Sequence, residues 1–148
     1  MKIPPVLLAF FLWSAIFSSA QIGKLKVGTA CINVSPTVFP IQLRSGKSSF
    51  VHDPLHVRAV AFENGKGRAV ICLIDAIGIG REMSDIAKSK AAKRTGWKTE
   101  EMLICATHTH SAPKGGTGMP GREAYEKLKH DKLEEAIVLA IERLQLAK

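Results

Sequence analysis

An α/β fold is predicted for this chain, with a mixed sheet, a β-hairpin and a βαβ crossover, and helices packed on the sheet. Three stretches predict it. Residues 69–74 (AVICLI) are an unbroken apolar run, which suits a strand buried on both faces. Residues 82–95 then place Met83, Ile86, Ala87 and Ala91 at helical spacing, with lysines around them. Residues 102–106 (MLICA) are a second apolar run. Strand, helix and strand in that order read as a right-handed crossover with the two strands parallel. The 148 residues allow one domain with a modest core and not two.

The first twenty residues stand apart. Lys2 is a minimal positive start, residues 6–17 are almost wholly apolar, and Ser18, Ser19 and Ala20 are small where a signal peptidase would cut. This is the pattern of a secretory signal peptide cleaved near Ala20, and it is short for a membrane span. The expected location is secreted, periplasmic or at the cell surface. Residues 21–148 are then the folded unit, and loss of Lys2 takes the formal charge from +8 to +7. The other basic residues are spread from Lys24 to Lys148 with no aromatic-interleaved patch, so nucleic acid is not expected as a partner. The charge fits solubility and a mild preference for an anionic surface.

Residues 24–31 alternate weakly and predict a first strand, ended by Asn33, Ser35 and Pro36. Residues 40–49 are polar and Gly-bearing and predict a surface loop. Residues 52–56 (HDPLH) predict a turn, because Pro54 disfavours helix at Asp53, and His52 and His56 read as ordinary loop histidines. Residues 57–63 predict a strand, and Asn64-Gly65-Lys66-Gly67 predicts a hairpin, since Asn and Gly tolerate the positive φ of a tight turn. Asp75 ends the apolar run that follows. A carboxylate at the C-terminal end of a buried strand is a frequent place for function in α/β sheets. The other reading of Asp75 is a cap on the Gly-rich turn at residues 78–80.

Gly96 sits where the first helix should stop, and Trp97 is expected to pack its end. Residues 114–121 hold four glycines and Pro120 and predict a loop or lid. Residues 122–147 return to helical spacing: Tyr125, Leu128, Ala136, Ile137, Ala140, Ile141 and Leu144 make an apolar stripe, with a kink or break expected at His130-Asp131. Cys31, Cys72 and Cys105 lie in strand-like runs and are expected to be buried free thiols. No C-x-x-C spacing supports a thiolate metal site, and no P-loop, G-x-S-x-G or H-E-x-x-H occurs.

The chemistry concentrates after residue 106. If period-two alternation continues past the strand, His108 and His110 leave on one side and Thr107 and Thr109 on the other. Two neutral imidazoles at a strand mouth form part of a metal or acid–base site. They form only part, because a catalytic zinc takes three protein ligands and keeps a fourth position open. The competing reading is two histidines bonded to loop carbonyls. If the crossover is right, Asp75 and His108 emerge from the same edge of the sheet.

VGTACINVSP near the start of the folded unit, HDPLHVRAVAFE, AVICLIDAIGIG and above all MLICATHTHSAPKGG resemble, in order and spacing, the N-terminal part of the neutral/alkaline, non-lysosomal ceramidases. The resemblance covers residues 25–146, and H-T-H-S-x-P is its most specific piece. Those enzymes are secreted or membrane-surface zinc amidases that cleave the N-acyl bond of ceramide. The resemblance implies Zn2+ as cofactor with His108 as a ligand, and His110 as the catalytic residue that holds the substrate at the scissile amide. It implies that Asp75 supports a histidine from outside the coordination sphere. It also implies a ceramide-like lipid as substrate and association with a membrane surface.

Two departures are visible. Ala112 stands where the family usually has glycine, and Lys114 intrudes before Gly115. Family members are also several times longer, and their remaining zinc ligands have no counterpart here. The expectation is therefore a ceramidase-like domain incomplete relative to the full family domain, either a truncated gene product or one whose missing half a second chain supplies. The alternative is a non-catalytic secreted fragment that binds a partner or a lipid surface. A barrel amidohydrolase, which also carries H-x-H, ranks last, because strands precede the motif and eight βα units do not fit.

Overall fold

The computed structural model describes residues 24–65, 67–113 and 121–147. The expected signal peptide and all but the last residue of the glycine-bearing loop at residues 114–121 lie outside the described residues. Seven strands and two helices follow in order: β1 Lys26–Asn33, β2 Ile41–Gln42, β3 Lys47–Ser48, β4 His56–Asn64, β5 Gly67–Ile74, α1 Arg81–Thr95, β6 Met102–Ala106, α2 Arg122–Glu142 and β7 Gln145–Leu146. A single 3-10 turn, Thr99–Glu101, leads into β6. The main sheet runs β6-β5-β4-β1-β7, and β2 and β3 form a separate two-stranded ribbon. The β1–β4, β4–β5 and β1–β7 pairs are antiparallel. The β5–β6 pair is parallel, as the crossover through α1 requires.

Local chemistry accounts for the boundaries. The β4–β5 hairpin closes at Asn64 opposite Gly67, with Gly65 at φ 62. Helix α1 stops at Gly96, whose φ of 73 is left-handed and whose N–H donates to the Ala92 carbonyl at 2.9 Å. Trp97 follows, buried, with the Arg68 guanidinium 5.3 Å from its ring centre.

Both helices pack on one face of the sheet. Period-two alternation supplies that face: Ala30 from β1, Val57, Ala59 and Ala61 from β4, Val70, Cys72 and Ile74 from β5, and Met102 and Ile104 from β6 are all buried. Helix α2 answers with Leu133, Ala136, Ile137, Ala140 and Ile141. Burying each large aliphatic side chain contributes about 1.5–3 kcal/mol. The small residues set the distance. A Cβ on Gly28 would sit 2.0 Å from the Ala140 carbonyl oxygen, so the helix lies directly on the β1 backbone. The opposite face leaves Arg58, Ile71 and Leu103 exposed among the described residues, so β5 is buried on one face and not on both, because helices cover only one side of the sheet.

Several expectations are corrected. Residues 40–49 are not only loop, because β2 and β3 pair there. Helix α2 runs through His130 and Asp131 without a break. The Lys127–Asp131 ion pair at i,i+4 and the fully buried Leu133 keep the helix continuous across that point. The helix ends at Glu142, and the chain then adds β7 to the sheet. All three cysteines are free, but Cys31 is exposed, because it points to the face without helices. His56 is the first residue of β4 and not a loop residue. No helix among the described residues is long and apolar enough to cross a membrane.

Candidate functional site

The β5–β6 ladder delivers Asp75 and Thr107 to one edge of the sheet, and its last bond runs from the Thr107 N–H to the Ile74 carbonyl, 3.0 Å. The chain then leaves strand geometry. His108 has φ 64, a left-handed conformation that is costly for a residue with a Cβ. Its Nδ1 lies 2.7 Å from the Ile77 carbonyl oxygen. The carbonyl can only accept, so Nδ1 carries the proton and Nε2 of the neutral ring keeps its lone pair. The His110 Nε2 stands 3.4 Å from that atom. The ring centres are 5.0 Å apart and the planes cross at 72°.

The two imidazoles therefore converge, as the H-x-H spacing predicts, but by a different route. Alternation stops at Thr107, and the left-handed turn at His108 brings the rings together. A bond between loop carbonyl and ring is also present, at Nδ1 of His108, and it helps the ring present Nε2. Metal-binding histidines use this arrangement, in which one nitrogen donates to a fixed acceptor and the other faces the ion.

The two Nε2 atoms face one another across 3.4 Å, so an ion held by His108 would lie within reach of His110. The donor set is partial: among the described residues, no group of three His, Cys, Asp or Glu side chains converges.

Asp75 does not bond either ring of the pair. Its Oδ2 accepts the His56 backbone N–H at 2.9 Å and the Arg58 guanidinium at 2.8 Å. Arg58 reaches on to Nδ1 of His56 at 3.2 Å. The histidine that Asp75 steadies through Arg58 is thus His56. Nor does Asp75 cap the following turn; it clasps β4 to β5. Burial opposes its ionisation, but the Arg58 hydrogen bond, the His56 amide, the Arg58 charge and the Thr107 hydroxyl outweigh it and hold the carboxyl below the usual range.

The clasp could have been found in the sequence. Counting the ladder down from Asn64 opposite Gly67 puts His56 at the level of Asp75 and Arg58 opposite Leu73.

A groove of about 600 Å³ opens beside this edge. Phe39, Ile41, Leu43, Phe50 and Pro113 give it apolar walls, and Asp75, Thr109 and Ser111 give it a polar end. Leu43 bridges to Pro113, which ties the β2–β3 ribbon to the loop after the histidines. Thr109 and Ser111 line the groove, while His108 and His110 are exposed outside its lining. Nothing in residues 40–49 announced this wall, because a two-residue strand leaves no periodicity to read.

The fold is ceramidase-like. The structure of neutral ceramidase from Pseudomonas aeruginosa matches with a TM-score of 0.71 at 18% identity, over 83% of this chain and 22% of that one. A ceramidase complexed with C2 matches with a TM-score of 0.64, also at 18% identity, over 83% of this chain and 22% of its own. This chain thus spans less than a quarter of the length of those structures. No protein-family model matches the sequence, and no curated protein matches it either. At this level of identity the likeness is one of fold, and within that ceramidase-like fold the histidine pair lies at the C-terminal end of β6.

Proposed function

We propose that this chain is a ceramidase-like zinc amidohydrolase domain, directed at the N-acyl bond of ceramide or a related lipid. The observation that carries the reading is the approach of the His108 and His110 Nε2 atoms to 3.4 Å at a strand end of a ceramidase-like fold. His108 would hold the ion through Nε2, with Nδ1–H anchored on the Ile77 carbonyl. A zinc ion held there supplies Lewis acidity toward an amide carbonyl and lowers the pKa of bound water. His110 stands beside it and contacts the scissile amide. Asp75 and Arg58 hold the strand ends that carry the loop, and the apolar groove lies alongside for the lipid. Residues 1–20 direct export, which puts the domain at a membrane surface or outside the cell.

A second reading is a non-catalytic secreted fragment that binds a partner or lipid surface. The exposed Ile71 and Leu103 on the sheet face without helices favour it. One experiment separates the two. The purified protein is assayed for hydrolysis of a fluorescent ceramide with zinc or with chelator, and zinc binding is titrated by calorimetry. Zinc-dependent turnover lost in His108→Ala supports the amidase. No turnover at any metal loading rejects activity by the chain on its own. Absence of zinc binding rejects the metal site.

A further inference from the structure

We propose that the groove beside the histidine pair binds the hydrocarbon chain of a long-chain amine, and that its acidic end selects an amine head over a carboxylate. The groove measures about 600 Å³, within the ordinary range of ligand pockets. Phe39, Ile41, Leu43, Phe50 and Pro113 make its walls apolar, which suits a hydrocarbon chain. Its charged lining is of one sign. Asp53 and Asp75 are there, and no lysine or arginine lines the groove among the described residues. This runs against the formal charge of +8 for the whole chain, which by itself would favour an anion.

The two carboxylates lie toward one end. Asp53 stands three residues before His56, whose backbone N–H donates to Asp75 Oδ2 at 2.9 Å, and three residues of chain reach about 11 Å at most. Thr109 and Ser111 complete the lining there. The Thr109 hydroxyl oxygen accepts the Ser111 N–H at 3.3 Å, which holds the two side by side. Arg58 reaches Asp75 Oδ2 at 2.8 Å but does not line the groove. A bound head therefore meets carboxylates and hydroxyls.

Head chemistry follows from that lining. An ammonium group carries three N–H donors and no acceptor, so carboxylate and hydroxyl oxygens are the partners it needs. A carboxylate head only accepts; the two hydroxyls serve it, but it faces two like charges. Thr109 lies between His108 and His110 in the chain, so the head is held beside the imidazole pair. Where the ligand is an amide, the half attached through nitrogen then lies in the groove and the acyl half lies outside it. Only that last assignment rests on the amidase reading.

The test is calorimetry of the purified protein, with chelator present, against decylamine, decanol and decanoate below their micelle concentrations. At about pH 7 the first is a cation and the last an anion. The expected order is amine, alcohol, acid, with the amine bound about tenfold or more tighter than the acid. Phe50 is 64% exposed, so Phe50→Ala should fold; it should weaken all three ligands and keep their order. Asp53→Asn should cut the amine preference by about two- to fivefold, and raising salt from about 0.05 to about 0.5 M should shrink it further. No binding by any of the three, or the acid bound as tightly as the amine, overturns the proposal. So does a preference that neither Asp53→Asn nor salt reduces, or binding that Phe50→Ala leaves unchanged. Ceramide hydrolysis without the amine preference rejects this site alone. The amine preference without hydrolysis rejects the amidase and leaves the site standing.

Discussion

Replacing Asp75 with alanine should destabilise the fold by about 2–3 kcal/mol at neutral pH. The figure comes from the clasp. The His56 N–H, 2.9 Å from Oδ2, loses its acceptor in a half-buried place, a loss of about 1–3 kcal/mol. Arg58 is 46% exposed, so its ion pair is screened and adds about 0.5 kcal/mol. Urea unfolding measures the sum, and the midpoint should fall by about 1–2 M. The pH dependence fixes the cause. The folded pKa of Asp75 lies below its unfolded value, about 3.9. Its contribution is therefore complete above that value and is lost as pH falls through the lower, folded one. The gap between the wild-type and Asp75→Ala curves should narrow as pH falls below about 4. A midpoint unchanged at pH 7, or a gap that does not narrow in acid, would refute the clasp.

Other outcomes follow from single observations. At position 108, glycine should be more stable than alanine by about 0.5–1 kcal/mol in urea unfolding, because φ 64 disfavours a Cβ; alanine being the more stable would show that the turn is not left-handed. Under the proposed metal site, neither variant should bind zinc in calorimetry. Gly28→Ala should cost about 3 kcal/mol or more and lower Tm by about 10 °C, since the new methyl would meet the Ala140 carbonyl and Leu144 amide; a Tm within 2 °C or so of wild type, on the usual scale for such a domain, would mean that α2 is not seated on β1. Burial, helped by Cys105, pushes the Cys72 thiol up to about 12. A disulfide reagent should therefore modify the exposed Cys31 first and reach Cys72 only in denaturant, as peptide mass mapping will show.

Elements with strong local signals could be read directly. The hairpin at Asn64–Gly67, the stop at Gly96 and the apolar runs of β5 and β6 each carry their instruction within a few residues. The β2–β3 ribbon and β7 have two residues a strand, too few for a period, and they exist only because the rest of the fold holds them. His130-Asp131 read as a kink or break, but the lysine four residues earlier and the buried face around Leu133 keep the helix continuous. His56 looked like a loop residue because Pro54 precedes it closely, and its link to Asp75 needs the ladder register to be seen.

The sequence by itself determined that two histidines stand one residue apart at the end of an apolar strand, with a carboxylate ending the neighbouring strand. Apolar runs and turn residues are local facts, and local facts survive without coordinates. Tertiary structure alone decided how the rings meet: a left-handed turn at His108, braced by the Ile77 carbonyl, brings them to 3.4 Å. It also decided that Asp75 holds Arg58 and β4 and not a ring of the pair. Both outcomes depend on atoms about thirty and about twenty residues apart in the chain, 31 for His108–Ile77 and 17 to 19 for the contacts of Asp75, and no pattern within a single segment encodes such distances.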